Sequence, residues 1–292
     1  MIICIGEIVW DIFESGKVLG GAPLNVAYQL STLGHDVRLI SRVGQDEFGR
    51  AAVEKIGYLG LPQHTIQYDP KYQTGKVLVH INDANEPSFD ILSPAAWDFI
   101  NPPENERSSG EPFHLVLGTL AQRSKVSLAT IRSLLPAADT VFYDVNLRPP
   151  HTPAQHVLES LVHADVGKMN KEELTEITRW ASLPSGSLKE MARAIFTTFN
   201  LEVLAVTLGS AGALLVCREG IFTHAGFPVQ VADTVGAGDA FFAGLIDGIL
   251  KKSAWQECLA QANQRGAYVA SRAGATPDMS TFQKLLKAED KT

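Results

Sequence analysis

The sequence contains little cysteine and no excess of positive charge. Its 292 residues include three cysteines, Cys4, Cys217 and Cys258, which lie far apart and form neither a CxxC pair nor an even-numbered disulfide framework. Lys and Arg total 25 against 32 Asp and Glu, which gives a net charge of −7. Binding of nucleic acid needs clustered Lys and Arg, and the sequence has no such cluster. We therefore expect no nucleic acid partner, and the cysteine pattern predicts a reducing, cytoplasmic environment.

Long hydrophobic runs are also missing. Glu7 and Asp11 interrupt the apolar stretch at the N-terminus, and no basic region precedes it, so it is not typical of a signal peptide. No run of about 18 apolar residues occurs, so neither a membrane-spanning helix nor a membrane partner is expected. The composition, with 45% hydrophobic and 20% charged residues, is that of a globular protein with a large core.

Short apolar runs alternate with helical patterns along most of the chain. Strands are predicted at residues 2–5, 37–40, 115–117, 141–143, 204–207 and 214–217. A helix is predicted from Pro23 to Gly34, and further helical runs follow Ser127, Lys171, Leu188, Gly238, Ala254 and Ser280. This alternation predicts an α/β fold with a mostly parallel sheet covered by helices on both faces.

Two regions interrupt the alternation. Residues 7–19 are strand-forming sequence that returns quickly on itself, and residues 74–92 alternate like a hairpin with a turn near Asp83, Ala84 and Asn85. They predict either one small antiparallel flap or two separate surface excursions. Residues 101–112 are rich in Pro, Ser and acidic residues, which predicts a loop rather than a linker between domains.

A glycine-rich segment at residues 233–239 (DTVGAGD) precedes an apolar run that predicts a buried helix. Glycines before a helix let backbone N–H groups converge at the positive end of the helix dipole, and this combination binds phosphate or a developing anion. Asp239 then lies in the first helical turn. A carboxylate beside a phosphate is unfavourable unless it has a task, such as accepting a proton from an attacking hydroxyl group. The alternative is a plain glycine-rich turn in which Asp239 is an ordinary helix-start acid.

Motifs of other enzyme classes are missing. The Walker loop, GxxxxGK[ST], does not occur, and a dinucleotide-binding fingerprint would need a third glycine or an alanine where Phe241 stands. There is no GxSxG nucleophile elbow, and none of the eight histidines has metal-ligand spacing. These absences exclude a dinucleotide-dependent dehydrogenase and weaken the interpretation as a hydrolase.

A second glycine-rich segment leads into the helix predicted at Pro23. Gly20 and Gly21, followed by Asn25, suit the close approach of a hydroxyl-rich ligand, because the Asn25 amide both donates and accepts hydrogen bonds. Asp11 adds a carboxylate that can hold two adjacent sugar hydroxyl groups. The alternative is a tight turn between a strand and a helix, together with an acidic residue in the flap.

Together these segments resemble the signatures of the PfkB family, the ribokinase-like carbohydrate kinases. Residues 20–34 match the first signature and residues 233–244 (DTVGAGDAFFAG) the second, with residues 43–49, 170–173 and 207–212 between them in the family's order. The likeness spans essentially the whole chain, and residues 144–148 (DVNLR) are most similar to the bacterial fructokinase branch. The resemblance implies a single domain over residues 1–292, a ribokinase-like three-layer αβα domain with a mostly parallel central sheet and a small β lid from about residues 7–19 and 74–92.

The resemblance also implies ATP-dependent phosphorylation of a sugar. By this resemblance Asp239 is the base that takes the proton from the sugar hydroxyl group, and the anion hole is formed by the backbone of Gly236, Ala237 and Gly238. The matching sugar contacts are Asp11, Gly20, Gly21 and Asn25. Arg148 has two interpretations. In the first it lies near the substrate or the phosphate, and in the second it forms an ion pair with an acidic neighbour on the surface.

Further residues match the family's nucleotide and cation sites. Asn170 and Glu173 match an Asn-x-x-Glu motif that organises Mg²⁺ and phosphates largely through water, although the same pair predicts a helix N-cap with a capping box. The nucleotide-side matches are Thr207, Gly209, Gly212 and Asn263, and the glycines have the alternative role of turning a strand pair. Many family members are activated by K⁺, and the matching positions, mostly through backbone oxygens, are Asp233, Val235, Val269, Arg272, Gly274 and Asp278.

The leading interpretation is a kinase that transfers the γ-phosphate of ATP to a primary hydroxyl group of D-fructose or a similar ketose, with ATP, Mg²⁺ and K⁺ as cofactors. The same chemistry on 2-keto-3-deoxygluconate, ribose or a nucleoside is an alternative, because specificity depends on lid side chains. A sugar-binding regulatory protein without catalysis is an alternative of a different class, against which the retained Asp239 argues. Unpaired edges of the lid strands also allow a homodimer through the lid.

Overall fold

The alternating side chains of the first strand explain why the central sheet is covered on both sides. In β1 (Ile2–Ile5), Ile2 and Cys4 pack into one hydrophobic core cluster, and Ile3 and Ile5 pack into another. Successive side chains of a strand point to opposite faces, so each face of the sheet carries its own core. The computed structural model describes residues 1–81, 87–103 and 112–282.

The larger sheet has nine strands. After β1 they are β4 (Val37–Gly44), β5 (Ile66–Asp69), β8 (Phe113–Gly118), β9 (Ala138–Asp144), β10 (Val166–Asn170), β11 (Val203–Thr207), β12 (Ala213–Cys217) and β13 (Gly220–His224). Their order is β13-β12-β11-β10-β9-β8-β1-β4-β5. All neighbours from β11 to β5 pair in parallel, and β12 and β13 add two antiparallel pairs at one edge. The predicted mostly parallel sheet is therefore confirmed.

In the described part of the chain, eight α-helices form two layers over this sheet. They are α1 (Ala22–Thr32), α2 (Glu47–Tyr58), α3 (Lys125–Leu134), α4 (Ala154–His163), α5 (Lys171–Trp180), α6 (Leu188–Thr198), α7 (Ala237–Leu250) and α8 (Trp255–Ala270). Buried residues of α1, α2, α7 and α8 belong to the core on one face, and those of α3 to α6 to the core on the other. None of these described helices is long and apolar enough to cross a bilayer.

A smaller sheet of four strands stands beside the large one. Its strands are β2 (Val9–Phe13), β3 (Gly16–Gly20), β6 (Gly75–Ile81) and β7 (Pro87–Ile91), in the order β3-β2-β6-β7. Trp10 attaches this sheet to α2, because its indole N–H donates to the carbonyl of Phe48 (3.0 Å) and the two rings meet edge to face. The turn predicted at residues 83–85 lies outside the described residues, as do most of the 101–112 loop and most of the helix predicted after Ser280. Closure of the small sheet over a ligand stays a prediction.

The order of the strands marks where a ligand would bind. The chain passes from β1 to β4 on one side and later to β8 on the other, so the direction of winding reverses at β1. In sheets of this kind ligands bind beyond the carboxyl ends of the strands at such a reversal. Glu7 lies two residues after the end of β1, β9 ends at Asp144 and β10 ends at Asn170, so polar side chains meet at this edge.

Candidate active site

The first turn of α7 forms a backbone cradle. Gly236 precedes the helix with a φ of 78°, and a Cβ there would lie 2.6 Å from the Cα of Ala275, so the position requires glycine. The N–H of Ala237 donates to the carbonyl of Thr234 (3.2 Å). The next two N–H groups, at positions 238 and 239, belong to the first turn and have no acceptor within the helix. With the helix dipole behind them, these groups are suited to an anion, and the binding of phosphate here stays a prediction.

Asp239 lies in this first turn and is held by a residue from the opposite end of the chain. The Nδ2 of Asn25, in α1, donates to the Oδ2 of Asp239 (2.8 Å). Burial raises the pKa of Asp239, while the charges of Lys168 and Arg148 and the hydrogen bond from Asn25 act to lower it. A raised pKa makes a carboxylate a better proton acceptor. The predicted base therefore has a fixed orientation and an environment suited to proton transfer.

The glycine pair before α1 packs closely against the end of β1 and against β2. Gly21 has a φ of 120°, and a Cβ there would lie 2.3 Å from the carbonyl oxygen of Glu7. At Gly20 a Cβ would lie 2.9 Å from the Oδ2 of Asp11. Burial raises the pKa of Asp11 to about 6, against the charge of Arg148. All four predicted sugar contacts thus lie around the start of α1.

Glu7 is a buried carboxyl group that the sequence analysis did not assign. It is 4% exposed, and its Oε2 has no hydrogen-bond partner among the described residues. Burial raises the pKa of Glu7 to about 7, and the charge of Asp239 acts in the same direction. Backbone hydrogen bonds, including one from Ala22, and the charge of Arg148 act to lower it. The available sequence signal is an acidic residue two positions after an apolar strand, and this signal alone does not predict burial.

Lys168 and Asp144 form a buried ion pair below the cradle, and Lys168 was also missed. The two residues face each other on β10 and β9, and the Nζ of Lys168 lies 3.0 and 2.9 Å from the two carboxylate oxygens of Asp144. Burial acts to lower the pKa of Lys168, but Asp144, Glu173 and Asp239 outweigh it and raise the pKa above its ordinary value. The available sequence signal is a lysine within an otherwise apolar strand.

The Asn-x-x-Glu motif forms the capping box that was the alternative prediction. The Oδ1 of Asn170 accepts from the N–H of Glu173 (2.8 Å), and the Oε2 of Glu173 accepts from the N–H of Asn170 (2.7 Å). The Oε1 of Glu173 accepts from the N–H of Leu147 (2.8 Å), which ties α5 to the loop after β9. Each carboxylate oxygen has two acceptor positions, so this pair retains capacity for metal-bound water. The magnesium role stays a prediction.

Arg148 adds positive charge near the same carboxyl groups. Its side chain is exposed, and Nη1 donates to the carbonyl of Leu147 (2.9 Å). Its charge acts to lower the pKa of the carboxyl groups of Glu7, Asp11, Asp144 and Asp239. This position favours the substrate or phosphate interpretation over a single ion pair on the surface.

The predicted nucleotide positions fall on the connection from β11 to β12 and on α8. Gly209 and Gly212 have φ angles of 60° and 86°, and a Cβ at Gly212 would lie 1.9 Å from the carbonyl oxygen of His224. The glycines are therefore needed to turn this strand pair, after Thr207 ends β11. Asn263 is buried, and its Nδ2 donates to a carbonyl of its own helix (2.7 Å). Contacts of these residues with ATP stay predictions.

The predicted potassium positions lie around the loop that follows α8. The Oδ1 of Asp233 accepts from the N–H of Val235 (3.0 Å), and its Oδ2 accepts from the N–H of Gly274 (3.0 Å). The bond from Gly274 joins the segment before α7 to residues 271–278. The other predicted positions lie in the last turn of α8 or in the same loop: Val269, Arg272 and Asp278. Potassium binding stays a prediction.

The fold and the candidate site define a class of protein. They combine the glycine-containing start of α7, an adjoining carboxylate and polar residues at the carboxyl edge of a mostly parallel sheet covered on both faces. These are the parts of a phosphotransferase that acts on a sugar hydroxyl group. Residues 6–281 match the pfkB family carbohydrate kinases, and the chain belongs to this family.

Individual relatives match over most of the chain. The fructokinase of Vibrio alginolyticus is 29% identical over 302 aligned residues, which cover 97% of this chain and 96% of that protein. The fructokinase of Escherichia coli is 30% identical over 260 residues, which cover 84% of this chain and 83% of that protein. A crystal structure of a fructokinase double mutant from Vibrio cholerae O395, in fructose, ADP and potassium ion bound form, matches with a TM-score of 0.82. Its sequence identity is 25%, and the match covers 98% of this chain and 97% of that one.

Proposed function

We infer that the protein is a fructokinase, which transfers the γ-phosphoryl group of ATP to a primary hydroxyl group of D-fructose or a similar ketose. The main support is the hydrogen bond between Asn25 and Asp239. It joins the hydroxyl-binding start of α1 to the phosphate cradle of α7, with a proton acceptor between them. The fructokinases that match this chain support fructose as the acceptor.

In the proposed reaction the sugar hydroxyl oxygen bonds to the γ-phosphorus of ATP. The bond from that phosphorus to the β–γ bridging oxygen breaks, ADP leaves with the electron pair, and the hydroxyl proton passes to Asp239. The transition state is loose, so positioning and charge stabilisation outweigh activation of the nucleophile. The N–H groups at Gly238 and Asp239 donate to the phosphoryl oxygens.

The two cations fit the residues in different ways. The described residues contain no group of three or more His, Cys, Asp or Glu side chains that could hold a metal ion by themselves. Mg²⁺ would therefore be coordinated by nucleotide phosphates and water, and Asn170 and Glu173 would form hydrogen bonds to that water. The ion would neutralise phosphate charge. K⁺ would be held by Asp233 and nearby backbone carbonyl oxygens, beside the cradle.

The decisive experiment measures ADP release with Mg-ATP across D-fructose, other hexoses, ribose, 2-keto-3-deoxygluconate and adenosine. We expect turnover that depends on fructose and falls about 10²- to 10⁴-fold in Asp239→Asn, which is the matched control. Turnover on another acceptor would show that fructose is the wrong substrate, and the assignment as a kinase would stand. Binding of sugar and ATP without turnover would favour the regulatory protein. Each reaction is run in KCl and in NaCl, and equal rates in the two salts would refute the potassium role.

A further inference from the structure

A charged side chain with no role in the reaction above lies directly beneath the phosphate cradle. Lys168 is 7% exposed, and its Nζ lies 3.2 Å from the point that a Cβ at position 238 would occupy. Gly238 supplies one of the two N–H groups assigned to the phosphoryl oxygens. The ammonium group therefore approaches the cradle from inside the protein, and a side chain at position 238 would press against it.

The hydrogen bonds of Lys168 leave a donor on the cradle side. An ammonium group has three N–H donors, and the two carboxylate oxygens of Asp144 lie at 3.0 and 2.9 Å. Lys168 and Asp144 are direct partners in the register of β10 and β9, which fixes the position of the Nζ. At least one N–H thus remains for an acceptor near Gly238.

Burial of this ion pair has a large cost in desolvation free energy. Removing two charges from water can cost more than their attraction returns, and apolar side chains of similar volume often stabilise a protein as well or better. The surroundings are also rich in carboxylates, since Glu173 and Asp239 act on Lys168 in addition to Asp144. Lys168 therefore supplies positive charge where negative side chains would otherwise repel a bound polyanion.

We propose that Lys168 is a further catalytic residue: its ammonium group, positioned by Asp144, donates a hydrogen bond to the phosphoryl group held in the cradle. This inference rests on the phosphoryl transfer proposed above. The phosphoryl group moves from the bridging oxygen of ATP to the sugar oxygen, and the sugar proton goes to Asp239. Lys168 keeps its own protons and supplies charge and a donor as the phosphoryl group is transferred.

A neutral double variant separates this role from simple neutralisation of Asp144. Lys168→Met combined with Asp144→Asn removes both charges and keeps similar volumes. Isothermal titration calorimetry with Mg²⁺ compares its affinity for ADP with that for the non-hydrolysable ATP analogue AMP-PNP. We expect AMP-PNP to bind about 10- to 100-fold more weakly than to the wild type, because a hydrogen bond to a charged group is lost. ADP should bind with nearly unchanged affinity, and equal changes for both nucleotides would overturn the proposal.

Turnover gives a second readout. We expect kcat of the double variant to fall roughly 100- to 1,000-fold, as for loss of one transition-state donor, with little change in the KM for the sugar. If Lys168 only neutralises Asp144, the double variant should instead regain the wild-type kcat. Lys251→Met is the matched control, because Lys251 pairs with Asp247 at the far end of α7 and its loss should change neither readout. If thermal melting shows that the double variant is unfolded, Lys168→Gln combined with Asp144→Asn is measured in its place.

The two proposals fail in different ways. If no sugar is phosphorylated but the Lys168 variants still weaken AMP-PNP relative to ADP, the acceptor assignment is wrong and the position of Lys168 stands. If the variants phosphorylate fructose at the wild-type rate, Lys168 has no catalytic role and the fructokinase assignment stands.

Discussion

The buried carboxyl group of Glu7 should make the stability of the protein depend on pH in a measurable way. Burial raises the pKa of Glu7 from 4.5 to about 7, so the folded state holds this proton more tightly than the unfolded state does. Its stabilising effect is complete below about pH 4.5 and is lost as the pH rises through about 7. At 1.36 kcal/mol for each pKa unit, the full loss is about 3 kcal/mol.

Replacing Glu7 by glutamine removes this titration. The variant also carries a buried amide without a partner, which costs about 1–3 kcal/mol at every pH, so the informative quantity is the change with pH. Between pH 5 and pH 8 we expect the unfolding free energy of Glu7→Gln to rise relative to wild type by about 2–3 kcal/mol, measured by urea denaturation. Glu190→Gln is the control, because a lowered pKa places the titration of Glu190 below this range. A constant difference between wild type and Glu7→Gln would refute the reasoning.

Three further predictions concern α7. Asp239→Asn should keep sugar and ATP affinity but lose about 10²- to 10⁴-fold in kcat, as for loss of a general base, and near-normal kcat in stopped assays would refute the role. Gly236→Ala should lose about 1–3 kcal/mol of stability together with affinity for AMP-PNP, and an unchanged melting temperature would contradict the cradle geometry. Asp247 is buried, which acts to raise its pKa, yet hydrogen bonds from His35 and Lys251 hold the pKa below the ordinary value. This stabilisation is present above the unfolded pKa and lost as the pH falls through the folded one, so Asp247→Asn should be destabilising at pH 7 and much less so at pH 3 in urea titrations.

The fold could be predicted where the local pattern and the final environment agree. Residues 2–5 form an apolar run that is buried on both faces, and the pattern gave β1 with its observed bounds. Strand β10 was not predicted, because Gly167 and Lys168 interrupt its apolar pattern. It exists because β9 and β11 pair with it on both sides and Asp144 supplies a partner for the buried lysine. Helix α2 was also not predicted, because two glycines interrupt its helical pattern. Packing against the small sheet stabilises this helix.

The residues of the candidate site also differ in how far the sequence predicts them. The glycines at positions 21 and 236 could be predicted, because their positive φ angles and lack of space leave few other choices at those positions. The roles of Glu7 and Lys168 could not be read from their neighbours in sequence. Burial of Glu7 depends on packing at the start of α1, and the position of Lys168 depends on a residue 24 positions away. Sequence motifs thus identify the glycines of the site, whereas long-range contacts determine the burial and the partners of its charged side chains.

The hydrogen bond between Asn25 and Asp239 also has a consequence for synthesis of the protein. The two residues are 214 positions apart, so a growing chain emerges with the predicted sugar-binding segment long before the segment that carries the predicted base. No incomplete product of the ribosome can contain the assembled site until α7 has emerged and packed on α1. Contacts between such distant segments form late, because a long loop must close first. The proposed active site can therefore assemble only after all the described strands have been translated.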